Sequence, residues 1–421
     1  MNTKANWLGI TLKNPILLAP LTLISHKRIE EHVNYYERAS KSGVGAIIVE
    51  SLVPIEYGKS DISFTQNDLL PIESGLSKNQ FMSFALLGAP YPNILSIKYG
   101  ISLIKEICKQ VTEVPIIGSL IGNFGEEHDV IAAAEMMAKA GIKGLELNFS
   151  CPNIMALCGE EEKDKINLIY RHTPSLSLVK SIKKHTGLGI ALKLIPGCMP
   201  SSLDSNIFRY IDGITYSNAH LGIVPPSIES PPFGSPFKRG FNWSYSGIYG
   251  PFERLLTYEV LVKIKKDPIY KDTKLSIVGG LVEEKHIVES LLLGTDTVQI
   301  SSAILWKGFK FVSSAVAFLE AFMQKNGFAS LDDFRGQSLN YIDSCATNLK
   351  EYEYCGAEKP HNQLQTVTIT SKCIKCYKCL GMCCLALYQD ENNTVRVKKD
   401  LCSGCGWCQI ICPVEAIVRE S

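Results

Sequence analysis

A chain of 421 residues with 43 Lys and Arg against 42 Asp and Glu carries no basic excess and no sustained basic stripe, so the electrostatic footprint of a nucleic-acid binder is missing. The length exceeds what one hydrophobic core usually serves, which implies a large domain and a smaller one. The longest apolar runs, such as 15–20 and 189–195, are far too short to cross a bilayer, and residues 1–7 lack a charged-then-apolar signal region, so the expected compartment is the reducing cytoplasm.

From residue 15 to 303, eight short apolar runs alternate with amphipathic stretches: 15–20, 45–50, 115–120, 144–150, 189–195, 212–218, 274–280 and 297–303. Between them the segments 30–42, 95–110, 130–140, 176–185, 252–265 and 284–293 place apolar residues at three- and four-residue spacing and read as helices. Strand and helix in eightfold alternation predict a parallel (β/α)8 barrel of the TIM type. The rival is an open doubly wound sheet, but that fold normally shows a glycine-rich fingerprint after its first strand, and here the strand ends Ala19-Pro20-Leu21-Thr22. A further helix over 309–326 closes the ring. The expected division is a barrel over 1–335, a linker or packed arm over 336–367, and a small α+β domain over 368–421.

That last domain holds Cys373-x2-Cys376-x2-Cys379-x3-Cys383 and then Cys402-x2-Cys405-x2-Cys408-x3-Cys412-Pro413. This is the spacing of a ferredoxin-like domain with two [4Fe–4S] clusters, in which the fourth cysteine of each run ligates the other cluster. One cluster therefore takes Cys373, Cys376, Cys379 and Cys412, and the other Cys402, Cys405, Cys408 and Cys383. Zinc is the alternative, although it typically uses two separated pairs of ligands. Cys384 stands where proline is usual and is expected to be inert.

In a barrel the working groups lie at the carboxyl ends of the strands. The fourth run leads into Asn148-Phe149-Ser150-Cys151-Pro152-Asn153, the fifth ends near Lys193, and the sixth in Ser217-Asn218. Gly279-Gly280 after the seventh run and Ser301-Ser302 after the eighth would let backbone N–H groups close around a phosphate, although a Gly-Gly pair is by itself usually a tight turn.

Through these residues, from Leu8-Gly9-Ile10-x3-Asn14-Pro15 to Cys412-Pro413 and above all in 145–153, the chain resembles the dihydroorotate dehydrogenase family. With its fused tail the whole resembles the pyrimidine-reducing part of dihydropyrimidine dehydrogenases. The resemblance implies FMN in the barrel, with Ala19, Lys193 and Gly247 near the flavin and Gly279, Gly280, Ser301 and Ser302 at its phosphate. It implies Cys151 as general acid/base facing the flavin across the substrate, and Asn148, Asn153 and Asn218 as hydrogen-bonding partners of a planar imide-like ring. Reduction of a polarised C=C bond needs a hydride to one carbon and a proton to its neighbour, and a thiol that is mostly protonated at neutral pH suits the second task. Cys151 as a buried small residue is the bland alternative, and Cys158 is a reserve acid. Electrons would arrive through the clusters from a reductase subunit or a ferredoxin, since no glycine-rich nicotinamide fingerprint is present. A homodimer or hetero-oligomer is a further expectation from the resemblance.

Three positions depart from the family pattern. Glu50 stands where a lysine is usual close to flavin and substrate; as an anion it would repel a substrate carboxylate, or else it points into solvent. Ser83 takes the place of a substrate amide, and Ala219 follows Asn218 where a hydroxyl residue is usual. The substrate is thus expected to be a neutral pyrimidine-like heterocycle. The alternatives are a different unsaturated substrate, or a non-catalytic electron-transfer subunit. The charge run 160–162 reads as a solvated face, and His220 reads as a packed or solvent histidine more readily than as a substrate contact. Segments 233–236 and 246–251 are expected to be loops over the barrel mouth.

Overall fold

The computed structural model describes residues 1–20, 28–55, 69–73, 84–88, 96–122, 125–150, 173–195, 198–223, 245–342, 366–381, 384–402 and 404–419. The chain divides into two compact units, Met1–Asp343 and Ser344–Ser421.

The eight apolar runs form the barrel strands: β1 Ile16–Leu18, β2 Ala46–Leu52, β3 Ile116–Ile121, β4 Gly144–Asn148, β5 Gly189–Lys193, β6 Gly213–Tyr216, β7 Leu275–Val278 and β8 Thr297–Ile300. They pair in sequential order, all parallel, and close through β8 and β1. A parallel strand is buried on both faces, and every described residue of these strands except Gly189 is buried, whether Val, Ile and Leu or the polar Glu146, Thr215 and Gln299. Around them pack α1 Ile29–Lys41, α2 Ile97–Gln110, α3 Glu127–Ala140, α4 Leu176–Thr186, α5 Glu253–Lys266, α6 Lys285–Leu292, α7 Ser302–Lys307 and α8 Lys310–Asn326. The connection from β5 to β6 carries only the 3₁₀ turns Pro200–Ser202 and Ser205–Arg209 among its described residues. Helix α3 begins three residues before the apolar periodicity expected from 130 onward, because Asp129 accepts from the Glu126 N–H at 3.2 Å and supplies the first turn with a cap.

A hairpin, Ala5–Trp7 with Ile10–Leu12, plugs the amino-terminal end of the barrel. Its turn residues Leu8 and Gly9 have φ of 56° and 78°, the geometry of a type I′ turn. A Cβ on Gly189 would stand 2.2 Å from the Leu8 carbonyl oxygen, and one on Gly213 would stand 2.6 Å from the Trp7 ring. Strands β5 and β6 therefore begin with glycine because the plug leaves no room for a side chain.

The segments after β2 and β6 contribute a four-stranded antiparallel sheet in the order Leu221–Ile223, Tyr245–Tyr249, Phe84–Gly88, Leu69–Glu73. The expected loop over 246–251 is thus in large part a strand. In the second unit Val367–Ile369 pairs with Ile417–Arg419, and Leu387–Gln389 with Val395–Val397, over a small core of Val367, Leu387, Val395 and Ile417 with Cys379 and Cys408. Among the described residues no helix is long and apolar enough to cross a membrane.

Candidate active site

The carboxyl ends of the strands surround a cleft with about 540 Å³ of empty space. Ala19 and Pro20 after β1, Lys193 at the end of β5, Ser217, Asn218 and Ala219 after β6, Gly279 and Gly280 after β7, and Ser301 and Ser302 after β8 all line it. Ile248, Tyr249 and Gly250 border it from the strand of the small sheet and the residue beyond. The barrel supplies the floor and the inserted sheet one rim.

The floor is a polar layer in an otherwise apolar barrel. Lys193 Nζ lies 3.4 Å from Glu146 Oε1, with side chains 6% and 1% exposed. Glu146 Oε2 accepts from Thr215 Oγ1 and Gln299 Nε2, both at 2.8 Å. An isolated buried ion is costly, and here the hydroxyl and amide satisfy Oε2 while Oε1 has the lysine only as an ion-pair partner, which holds the ammonium at the base of the cleft. Two residues further along β4, Asn148 points to the same face. Its Oδ1 accepts from Asn218 Nδ2 at 3.1 Å and from the Ser150 N–H at 3.1 Å, while its Nδ2 donates to Ser51 Oγ at 3.3 Å. Asn218 Oδ1 accepts from the Ala219 N–H at 3.2 Å. By inventory, among the described residues, Asn218 on the cleft wall keeps one Oδ1 lone pair and Asn148 behind it one Nδ2 hydrogen.

At the opposite corner Gly279 and Gly280 adopt φ of 125° and 70°. A Cβ on Gly280 would stand 2.3 Å from the backbone nitrogen of Arg254, so glycine lets the β7 turn close onto the start of α5. The turn is held from behind: Val282 and Glu283 donate their N–H groups to His286 Nδ1 at 3.1 Å each. Burial, with the nearby Arg254 cation adding to it, lowers the His286 pKa to about 4, which keeps that nitrogen an acceptor near neutral pH. Arg254 Nη1 pairs with Glu289 at 2.9 Å, and Tyr258 donates to the His286 carbonyl at 3.1 Å, tying α5 to α6 beneath the corner. His220 Nδ1 meets Glu253 Oε2 at 2.5 Å. Among the described residues, three buried polar atoms on cleft-lining residues, Ser217 Oγ, Glu253 Oε1 and Gln299 Oε1, have no hydrogen-bond partner.

In the second unit, Cys373, Cys376, Cys379 and Cys412 line one cavity, and Cys402, Cys405, Cys408 and Cys384 line another. Among the described residues no three His, Cys, Asp or Glu converge as they would on a single ion; the thiols stand around a volume instead.

Residues 395–418 match the family described as 4Fe-4S binding domain. Over 344 residues the chain is 25% identical to the catalytic subunit of dihydroorotate dehydrogenase B (NAD(+)) of Pyrococcus furiosus, a match covering 80% of this chain and 98% of the other. It is 25% identical over 232 residues to the chloroplastic dihydropyrimidine dehydrogenase (NADP(+)) of Arabidopsis thaliana, 53% of each chain. It is 22% identical over 329 residues to the NAD-dependent dihydropyrimidine dehydrogenase subunit PreA of Escherichia coli K12, 76% of this chain and 75% of the other. The chain is thus similar to dihydroorotate and dihydropyrimidine dehydrogenases over half or more of its length.

Of the residues that the resemblance to these dehydrogenases singled out, Ala19, Lys193, Asn218, Gly279, Gly280, Ser301 and Ser302 share the cleft, and Asn148 joins it through Asn218. The backbone of Gly247 belongs to the sheet strand one residue before the rim. Cys151, Asn153, Cys158, the run 160–162, Ser83 and Cys383 lie outside the described residues. Glu50 does not point into solvent: it is 5% exposed, its N–H donates to the Tyr36 hydroxyl of α1 at 3.1 Å, and its carboxyl is close enough to raise the pKa of Tyr35, Tyr36 and Tyr99 on α1 and α2; among the described residues it is not one that lines the cleft. Burial pushes the Glu50 carboxyl well above the ordinary carboxylate range. Ser51 faces the barrel instead, bonded to Ser119 Oγ at 2.7 Å and to Asn148. Cys384, expected to be inert, lines a thiol cavity. Sequence reasoning gave no role to Glu146, Thr215, Gln299 or Glu253. For the first three the available signal was a polar residue inside an apolar run, which a buried parallel strand does not carry without a partner; Glu253, at the start of a helix, gave no such signal.

Proposed function

We propose that this chain is an iron–sulfur flavoprotein oxidoreductase that reduces an activated C=C bond of a pyrimidine-like heterocycle. FMN would occupy the barrel mouth and two [4Fe–4S] clusters the carboxyl-terminal unit, with electrons supplied by a partner reductase subunit or a ferredoxin. The observation that carries the reading is the cleft itself: among the described residues, three buried polar atoms without partners belong to residues that line it together with Gly279, Gly280, Ser301 and Ser302.

The residues present fit a flavin nucleotide. Gly279, Gly280, Ser301 and Ser302 would offer backbone N–H groups and hydroxyls to a phosphate, Gln299 Oε1 would offer an acceptor, and Lys193 would offer a cation paired with Glu146. The thiols that stand around two cavities fit cubane clusters. When bound, FMN supplies hydride transfer and the clusters supply single electrons. The chain's own residues do the rest. Asn218 on the cleft wall and Asn148 behind it would present an acceptor and a donor, the complement of the N–H and C=O edge of a neutral imide ring. Cys151, which follows β4 directly, is assigned the proton donated to the carbon next to the hydride acceptor.

Because Glu50 is buried away from the cleft and disfavoured as an anion, its charge no longer argues against a substrate carboxylate. Ala219, a methyl group in the cleft wall, favours a second reading in which the same redox machinery acts on a different unsaturated substrate. Anaerobic purification with flavin and iron analysis tests the cofactor assignment. About one FMN and about eight iron atoms per chain are expected, and an iron-free or flavin-free folded protein overturns it.

A further inference from the structure

Glu253 opens the 14-residue helix α5 and is 2% exposed. Its two carboxylate oxygens have different fates. Oε2 meets His220 Nδ1 at 2.5 Å, and because a carboxylate only accepts, the proton of this bond sits on the ring nitrogen. His220 is itself anchored, since its carbonyl accepts from the Ile248 N–H on the cleft rim at 2.8 Å. Oε1 has no hydrogen-bond partner although the residue borders the cleft. A buried acceptor left without a donor is costly, more so when it is charged, so the position is explained if a ligand brings the missing hydrogen.

The kind of donor follows from charge. A Cβ on Gly279 would stand 3.4 Å from Glu253 Cβ and 4.0 Å from Glu253 Oε2, so the carboxylate adjoins the glycine corner. A phosphate brings a negative charge rather than a hydrogen, and a negative charge close to the carboxylate would be repelled by it. The ligand portion that faces Oε1 must therefore be uncharged and carry a donor.

We infer that Glu253 Oε1 accepts a hydrogen bond from a hydroxyl of the flavin's polyol chain, with His220 holding the carboxylate in place through its other oxygen. The inference rests on the flavin reading above. Glu253 is then a cofactor-binding residue that reads the sugar-like chain between the ring and the phosphate.

The test titrates the full-length chain, freed of flavin, with FMN, riboflavin and lumiflavin, the last a flavin ring without a polyol, and follows flavin fluorescence. Glu253→Ala is expected to weaken FMN and riboflavin by about tenfold each, the loss of one hydrogen bond, and to leave lumiflavin unchanged. Glu253→Gln keeps an acceptor toward the cleft and is expected to stay within about threefold of the original chain. Tighter FMN with unchanged riboflavin overturns the inference, because the carboxylate would then face the phosphate. Equal weakening of all three ligands, or no change in any, overturns it as well. If the unmutated chain binds none of the three, the flavin reading itself falls and this inference falls with it.

Discussion

At the scale of single residues, burial governs the pH behaviour of Glu50. Its carboxyl is raised well above 4.5 in the fold, mainly by loss of hydration. The folded state thus binds a proton that the unfolded state releases. The stability carried by the neutral acid is complete below the unfolded value near 4.5 and is lost as pH rises toward the folded value. Glu50→Gln, which cannot ionise, is expected to raise the thermal midpoint more at pH 8 than at pH 5, read by calorimetry at both values; an equal shift at both contradicts the assignment. The position of Glu50 was illegible in the sequence. Strand alternation alone does not reveal that the β2–β3 register shifts between Ile48 and Ser51, after which Ser51 is the residue bonded to Ser119 and Asn148. Lys193 and Asn218 were legible because they sit at strand ends, where the fold fixes their placement.

At the scale of elements, the glycine corner depends on how the β7 turn meets α5. Gly280→Ala forces a Cβ to within 2.3 Å of the Arg254 backbone nitrogen, which has no rotamer by which to retreat, and does so at a φ of 70°. A loss of roughly 2–4 kcal/mol in urea or thermal unfolding is expected, together with loss of bound flavin; unchanged stability contradicts the packing argument. The eight strands were readable because parallel burial writes itself as continuous apolar runs. The strand Tyr245–Tyr249 was not, since its partners Phe84–Gly88 and Leu221–Ile223 are distant in sequence or joined to it by a long connection, and its own Tyr-Ser-Gly composition reads locally as a turn. The β5–β6 connection also departs from the barrel pattern, with 3₁₀ turns where an α-helix is usual.

At the scale of the whole molecule, the ligand pattern of the carboxyl-terminal unit was the most legible part of the chain, because cluster ligands follow fixed short spacings. The interleaving has a consequence. Cys412 belongs to the second sequence motif but lines the cavity of Cys373, Cys376 and Cys379. Cys412→Ser is therefore expected to lower iron from about eight to about four atoms per chain and to remove the cluster of the first motif. Pairing this change with the same substitution at Cys373 should remove no further iron. A further drop toward zero would show that Cys412 serves the second cluster. So small a core as that of Val367, Leu387, Val395 and Ile417 leaves the proposed clusters as the expected source of much of this unit's stability, as in small metal-bound domains. The substrate remained illegible: Ala219 lines the cleft, while Cys151, Asn153 and Ser83 lie outside the described residues.

The most direct test of the central claim is anaerobic. The purified chain is reduced with dithionite, freed of excess reductant, and mixed in turn with uracil, thymine and orotate while the visible absorbance is followed. Return of the oxidised flavin and cluster bands, with a stoichiometric amount of the dihydro product, is the result this account predicts for at least one of the three. Bands that stay bleached with all three would contradict pyrimidine reduction while leaving the flavin and cluster machinery in place.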